Sequence, residues 1–268
     1  MKQKITLVLT AIVATFASPG KAQSYDTNNV VVQTFAGSGF SGYVDGFGQQ
    51  TMFNNPLAIV SDSSSNLFVL DVNNFCIRKI TPNGTVSTFA GRGAAQPPGY
   101  GTNVSLGVTY NTSMAIDHSD ALWLLVQDGA NYLYLVRIRS DAYVTKTNIG
   151  WLGDNGPNGI CVDSQNNIYY ATPANKIQRY RTEGVTEVFA GSGNSGSADG
   201  NGLFSSFNRP TALAVDAADN IYVWDSGNSL IRRINQSRDV VTIAGRLGMS
   251  WDTTGGPHSL DHGTQNLS

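Results

Sequence analysis

The feature that most constrains this chain is an internal repeat of its own sequence. Residues 34–92 align without a gap with residues 188–246, at an offset of 154, and 27 of the 59 aligned positions are identical. Two more divergent copies lie between them, so the offset covers three units of about 50 residues each. A period of this length predicts an array of similar modules that stack on their neighbours.

Each unit contains four short apolar segments separated by turn-forming residues. In the last unit these segments are 211–216, 220–225, 230–235 and 239–244, and they are rich in Val, Ile, Leu, Tyr and Trp. The residues between them include Asp, Asn and Gly, which favour tight turns. Because no segment has a sustained helical period, the sequence predicts an all-β fold.

The strands of a unit carry apolar residues on both faces. Residues 221–224 read Ile-Tyr-Val-Trp and do not alternate with polar residues. A strand of this type needs cover on both sides of its sheet. Radial stacking of four-stranded sheets around a common axis provides that cover, and the sequence therefore predicts a β-propeller.

The repeat unit resembles a known family. Its pattern is P-x-A-[IL], then D, N-[LI]-[FY]-V-x-D, N and I-R-[KR]-I, followed by A-G-x-G, and it resembles the NHL repeat of six-bladed propellers. The form is that of secreted bacterial proteins and is similar to the teneurin NHL domain. The resemblance covers about residues 30–246 and is strongest in the first and fourth units. The histidine that names the family is replaced, since Phe75 and Ser229 follow Asn74 and Asn228.

The number of units predicts an incomplete ring. Four complete four-stranded blades are expected at about 56–91, 111–149, 157–191 and 210–245, within a propeller domain of residues 30–245. Residues 30–37 match only the outermost strand of a unit and are expected to form a lone N-terminal strand, and 246–268 an irregular tail. We expect truncation of a six-bladed ring. The alternative is a natural short form that closes as a smaller ring or pairs with a second copy.

The N-terminus predicts export. Lys2 and Lys4 precede an apolar stretch at 5–17, and small residues lead to a cleavage site after Ala22, as in a signal peptide. That stretch is shorter than the roughly 20 residues that span a bilayer. We therefore expect a secreted protein, extracellular or periplasmic, without a membrane span. The chain has a net charge of −2, and loss of the signal's lysines makes it more negative, which disfavours nucleic acid as a partner.

The candidate binding surface lies where the long loops 38–55 and 192–209 meet the turns 71–74 and 225–228. Strand alternation places these loops and turns at one edge of the sheets, and such surfaces commonly carry binding functions. The expected ligand is an unidentified protein, peptide or carbohydrate. The alternative is that these polar residues recur because every blade needs the same turns. The candidate ligand-binding residues are Tyr43, Asp45, Asp71, Asn74, Arg92, Asp199, Arg209, Asp225 and Asn228.

No complete catalytic or cofactor site is predicted, and the expectation leans away from an enzyme. The loops that begin at Asp45 and Asp199 each offer one acid, too few for a calcium loop. Propeller lactonases hold a metal through a glutamate, and zinc lyases of NHL-like fold use histidines on separate blades. Here Glu183 and Glu187 lie in an outer hairpin, and the histidines lie in a turn or in the tail: His118, His258 and His262. The alternative is a divergent metal-dependent lactonase or lyase whose site residues lie in missing blades.

The two cysteines, Cys76 and Cys161, lie in apolar strands of different units. We expect both to be buried free thiols.

Overall fold

The computed structural model describes residues 33–151 and 158–245, together with Leu247. The strands of these residues form four antiparallel sheets, which we call blades 1 to 4 in chain order. Helical residues in the same ranges form only four 3-10 turns of three residues each. The all-β prediction is confirmed. The predicted signal peptide and, apart from Leu247, the tail from residue 246 lie outside the described residues.

Each blade contains four long consecutive strands whose spatial order follows the chain, and blades 1, 2 and 4 have a fifth, short strand beside the last of them. Blade 1 contains β1 (Gly46–Phe47), β2 (Pro56–Ser61), β3 (Leu67–Asp71), β4 (Cys76–Ile80) and β5 (Thr85–Gly91). Blade 2 contains β6 (Gly99–Tyr100), β7 (Ser113–Ile116), β8 (Leu122–Gln127), β9 (Tyr132–Ile138) and β10 (Tyr143–Trp151). Blade 3 contains β11 (Asn158–Val162), β12 (Ile168–Thr172), β13 (Lys176–Tyr180) and β14 (Thr186–Ala190). Blade 4 contains β15 (Gly200–Asn201), β16 (Pro210–Val215), β17 (Ile221–Asp225), β18 (Leu230–Ile234) and β19 (Asp239–Gly245).

The inner side of the array is formed by the first long strand of each blade. Strand β2 contacts β7, β7 contacts β11, and β11 contacts β16. The last strand of each blade, β5, β10, β14 or β19, lies at the outer side. Three sheets have a fifth strand of two residues, which the sequence analysis did not predict. It forms where the segment that enters the blade runs along the outer strand: β1 pairs with β5, β6 with β10, and β15 with β19.

The described residues of the predicted lone N-terminal strand do not form a strand. Residues 33–37 lie in no strand, whereas the aligned residues 187–191 include most of β14, which pairs with β13. A strand needs a neighbour for its backbone N–H and C=O groups. No described strand lies beside 33–37 in the position that β13 takes beside β14.

Neighbouring blades bury their apolar faces against each other. Phe68, Leu70 and Ile77 of blade 1 share a core cluster with Leu122 and Leu124 of blade 2. Further clusters join blade 2 to blade 3 and blade 3 to blade 4. Leu124 faces blade 1 while the next residue, Leu125, belongs to the cluster shared with blade 3. This alternation explains why the strands are apolar at every position.

Blade 4 exposes the sheet face that in blade 1 is covered by blade 2. The residues of blade 1 that pack on blade 2 align with residues of blade 4 that belong to no core cluster: Ala58, Phe68, Leu70, Ile77 and Phe89 align with Ala212, Tyr222, Trp224, Ile231 and Ile243. Ile77 is fully buried, whereas Ile231 is 38% exposed and Ile243 is 46% exposed. Within the described residues, this face of blade 4 is apolar and uncovered.

The two cysteines are buried free thiols, as predicted. Burial, reinforced by the nearby Asp71 carboxylate, raises the pKa of Cys76 to about 12. Burial also raises the pKa of Cys161. Neither thiol has the lowered pKa that makes a cysteine a nucleophile.

Candidate functional site

The candidate surface is the edge of the sheets that carries the turns between the second and third long strands, and we call it the loop face. In blade 1 this turn is 72–75, and in blade 4 it is 226–229. The long loops bind directly to these turns: the Asn54 N–H donates to Asp71 at 2.7 Å, and the Asn208 N–H donates to Asp225 at 2.7 Å. The structure therefore brings the predicted loops and turns together.

Behind the loop face of blade 1 lies a fully buried arginine, Arg78. Its guanidinium donates to Asp71 at 3.0 Å and to Asp45 at 2.5 Å, and the side chains of Arg78 and Asp71 are both 0% exposed. It also donates to the backbone carbonyls of Val44 and Met52. We call Arg78, Asp45, Asp71 and Asn74 the arginine cluster of blade 1. Two carboxylates and two carbonyls satisfy the guanidinium, which is what burial of a charge requires.

Blade 4 contains the same cluster. Arg232 donates to Asp225 at 3.0 Å and to Asp199 at 2.8 Å, and it reaches the carbonyls of Ala198 and Ser206. Partial burial alone would raise the pKa of Asp199, but hydrogen bonds from Thr242 and the Arg232 guanidinium lower it below its usual value. In blades 2 and 3 the aligned strand positions are Val136 and Gln178, so the cluster is a feature of the two closely matched blades.

Six of the nine candidate residues have polar atoms bound within these two clusters. Asn74 donates to the Gly42 carbonyl and to Asp71, and Asn228 donates to the Gly196 carbonyl and to Asp225. These side chains fix the long loops onto their blades. Sequence analysis did not select Arg78 and Arg232, although an arginine repeated inside an apolar strand was the signal that could have found them.

Tyr43 and Arg92 form a different arrangement on the same loop face. The Arg92 guanidinium lies 3.7 Å from the centroid of the Tyr43 ring. The Tyr43 hydroxyl and the Thr88 Oγ1 are 2.6 Å apart, in a hydrogen bond that holds the ring in place. Arg92 has a left-handed backbone, with φ at +72°, and its N–H donates to the Phe75 carbonyl at 3.1 Å. Such a backbone is uncommon for a residue with a side chain and points to a local constraint.

A cavity of about 440 Å³ opens beside Arg92. The turn of blade 1 and the segment that leads to blade 2 line it, through Asn73, Phe75, Arg92, Gly93, Ser105 and Gly107. Phe75 is 62% exposed and has φ at +57°, so the turn presents its ring to solvent. Arg92 is the one charged residue among those that line the cavity. No sequence pattern pointed to Phe75, Gly93 or Ser105 as members of a site.

Arg209, the remaining candidate residue, lies at the junction of blades 3 and 4. It belongs to neither arginine cluster. Its N–H donates to the Asn175 Oδ1 of blade 3 at 2.9 Å. Its carbonyl accepts a hydrogen bond from the Ser226 hydroxyl of blade 4 at 2.6 Å. The backbone of Arg209 therefore links the two blades.

The residues considered for metal or acid–base chemistry are dispersed. Glu187 of β14 bridges Arg179, Arg181 and Arg238. Partial burial would raise the pKa of Glu187, but hydrogen bonds from these three guanidinium groups outweigh it and lower the pKa to about 2. His118 lies in a turn of blade 2, and His258 and His262 lie outside the described residues. Among the described residues, no group of three or more His, Cys, Asp or Glu side chains is placed to hold a metal ion.

Comparison with known proteins identifies the fold. No protein-family model matches the sequence, and no curated protein matches it. A streptogramin B lyase structure matches with a TM-score of 0.50 and 13% identity, over 70% of this chain and 54% of the other. The chain has a β-propeller fold, since that protein is β-propeller-like. At this identity the likeness extends to the fold alone.

Two further structures have lower scores. Virginiamycin B lyase from Staphylococcus aureus matches with a TM-score of 0.49 and 15% identity, over 70% of this chain and 55% of that one. A protein of unknown function from Bacteroides thetaiotaomicron matches with a TM-score of 0.44 and 16% identity, over 81% of this chain and 65% of that one. The chain spans about half the length of the two lyase structures. No helix in the described ranges is both long and apolar enough to cross a membrane.

Proposed function

We propose that this chain is an exported NHL-type β-propeller that acts as a binding scaffold through the loop face of blade 1. The observation that carries the proposal is the cavity beside Arg92, where an exposed aromatic ring and a stacked guanidinium meet on a surface built from loops. Ligand pockets combine apolar rings with a few placed polar groups, and about 300–1,000 Å³ is their usual size. Export is supported by the signal-like sequence of residues 1–22.

The differences between blades 1 and 4 favour a binding role for the cavity beside Arg92. The arginine clusters of blades 1 and 4 are alike, which is expected of a feature that stabilises the fold. Phe75 and Tyr43, in contrast, align with Ser229 and Ser197. Blade 4 forms the same 3-10 turn with Ser229 at φ +56°, so the turn does not need an aromatic residue. The fold therefore gives no reason for the exposed ring of Phe75.

The test is an unbiased binding screen with matched variants. The purified chain is applied to a glycan array and used to capture proteins and peptides, in parallel with Phe75→Ser and Phe47→Asn. Each variant introduces the residue that blade 4 has at that position, and each removes an exposed ring. Phe47 pairs with Thr85 at the sheet edge opposite the loop face and is the control. The proposal expects captured ligands to be lost with Phe75→Ser and kept with Phe47→Asn, and equal capture by both variants would contradict it.

The enzymatic alternative is a metal-dependent lactonase or lyase. The two lyase structures share 13% and 15% identity with this chain, so the likeness to them shows the fold and not an activity. Metal analysis of the purified chain distinguishes the two functions, because stoichiometric zinc or calcium would favour the alternative.

A further inference from the structure

The cavity of blade 1 has an electrostatic imbalance. Arg92 makes no ion pair with a described acidic residue. The two aspartates of the arginine cluster of this blade, Asp45 and Asp71, are both bound to Arg78. The cavity therefore presents one positive charge and no negative charge among its lining residues, an arrangement that favours an anion.

The orientation of Arg92 is suited to a planar anion. Its guanidinium stacks on the Tyr43 ring, and stacking leaves the in-plane N–H groups at the edges available for hydrogen bonds. The ring itself is held by the Tyr43–Thr88 hydrogen bond, and the backbone of Arg92 is held by the Phe75 carbonyl. A donor that is already oriented loses less conformational entropy on binding. Arg–carboxylate pairs are often bidentate, with two parallel N–H···O bonds.

The amount of charge favours a carboxylate over a phosphate. A single guanidinium neutralises one carboxylate, whereas a phosphomonoester carries about −1.5 to −2 charges and would be left partly uncompensated. The whole chain is itself negative, at −2, so it provides no broader field that would compensate a polyanion.

The rest of the cavity favours a sugar as the carrier of that carboxylate. Phe75 offers an exposed ring. The Asn73 Oδ1 can accept a hydrogen bond from a sugar hydroxyl, and the Ser105 hydroxyl can donate or accept one. Capture of a peptide C-terminus commonly uses free backbone N–H groups. Here the N–H groups of Arg92, Gly93 and Ser105 are already bound to the carbonyls of Phe75, Val104 and Ala95.

We infer that the cavity beside Arg92 binds a uronic acid residue of an acidic saccharide, with the carboxylate on Arg92 and the sugar ring against Phe75. This inference rests on the proposed function of the loop face and names its ligand class. The expected ligand is a carboxylated sugar, and preferential binding of a neutral sugar or a peptide would contradict the inference.

The experiment measures binding by isothermal titration calorimetry with digalacturonate and, as its neutral counterpart, digalactose. The chain is compared with Arg92→Gln, Arg92→Lys, Phe75→Ser and Phe47→Asn. We expect digalacturonate to bind the chain and Phe47→Asn alike, and digalactose to bind at least about tenfold more weakly. Arg92→Gln and Arg92→Lys should each weaken digalacturonate binding by about tenfold or more, because lysine restores the charge without the stacked, bidentate geometry. Phe75→Ser should weaken it severalfold.

The outcomes separate this inference from the proposed function. Equal binding of the two disaccharides, or binding unchanged by Arg92→Gln, would overturn the inference. Capture of a neutral glycan or a peptide that depends on Phe75 would also overturn it, while the loop-face function would stand. Capture that is unchanged by substitution of either Phe75 or Arg92 would contradict both the inference and the proposed loop-face function. Circular dichroism and thermal unfolding of each variant show whether the fold is retained, and Phe75→Ser, which has its counterpart in blade 4, gives a test independent of Arg92.

Discussion

At the scale of single residues, the buried charges explain why so many polar residues recur between blades 1 and 4. Arg78 and Asp71 are both fully buried and form an ion pair at 3.0 Å, and Arg78 also pairs with the partly exposed Asp45. Asp71 also accepts the Asn54 N–H, so one carboxylate joins a strand, a turn and a long loop. An ion pair in this position is costly to break, because the remaining charge has no access to water.

We predict that Asp71→Ala lowers the free energy of unfolding by about 3–5 kcal/mol, because it leaves the Arg78 guanidinium buried with one fewer partner. Denaturation in urea, followed by circular dichroism, measures the change. The control is Asp141→Ala, which breaks an exposed ion pair with Arg139 and should lower the free energy of unfolding far less than Asp71→Ala does. Equal losses of unfolding free energy from the two substitutions would contradict a structural role for Asp71 and would favour a role in ligand binding.

A second residue-scale prediction concerns Glu187 and pH. Its pKa is about 2 in the folded chain, below the usual 4.5, so its contribution to stability is present above pH 4.5 and is lost as the pH falls towards 2. Glu187→Gln should therefore be less stable than the parent chain at pH 7, and the difference should shrink between pH 4.5 and pH 2. Urea denaturation across this range tests it, with Glu183→Gln as the exposed control. A difference independent of pH would contradict the assignment.

At the scale of elements, the turns on the edge opposite the loop face show how blades are joined. In each blade an aspartate begins the turn and accepts backbone N–H groups two and four residues later, as Asp216 does from Ala218 and Asn220. In two junctions the next blade adds a second aspartate. Ser63 donates its N–H and hydroxyl to Asp120, and Ser164 donates in the same way to Asp219. The middle junction has His118 and Asn166 at these positions.

These Ser–Asp pairs should make a small, measurable contribution. The pKa of Asp120 is lowered, chiefly by its hydrogen bond from the Ser63 hydroxyl. We predict that Ser63→Ala costs about 0.5–1 kcal/mol of unfolding free energy, at the low end for a hydrogen bond because the pair is exposed. The control is Ala217→Ser, at the aligned position of blade 4. No described blade follows blade 4, so this substitution should leave the free energy of unfolding unchanged. A gain in stability from Ala217→Ser would show that a partner aspartate lies near it.

The sequence predicted the elements better than the site. The four strands of the last unit were expected at nearly the positions where β16 to β19 lie, because apolar runs bounded by Asp, Asn and Gly determine strands locally. The short strands β1, β6 and β15 were missed, since their pairing depends on how a loop folds back over its own blade. The burial of Asp71 and the exposure of Phe75 were not predicted for the same reason: both depend on contacts made in three dimensions.

At the scale of the whole molecule, neighbouring sheets cover each other's apolar faces. The offset of 154 provides an internal comparison, because the same residue type occupies aligned positions with different neighbours. Ile77 lies between blades 1 and 2 and is 0% exposed, whereas Ile231, at the same place in blade 4, is 38% exposed. Strand propensity and local sequence are matched at the two positions, so the stacking of blades accounts for the difference in burial.

The most direct test of this account is the pair Ile77→Ala and Ile231→Ala, compared by urea denaturation. Removal of a buried isoleucine costs the transfer free energy of its side chain and leaves a cavity, so Ile77→Ala should lose about 2–5 kcal/mol. Ile231→Ala, on the uncovered face, should lose about 1 kcal/mol or less. Equal losses at the two positions would contradict the stacking of successive blades on which the account rests.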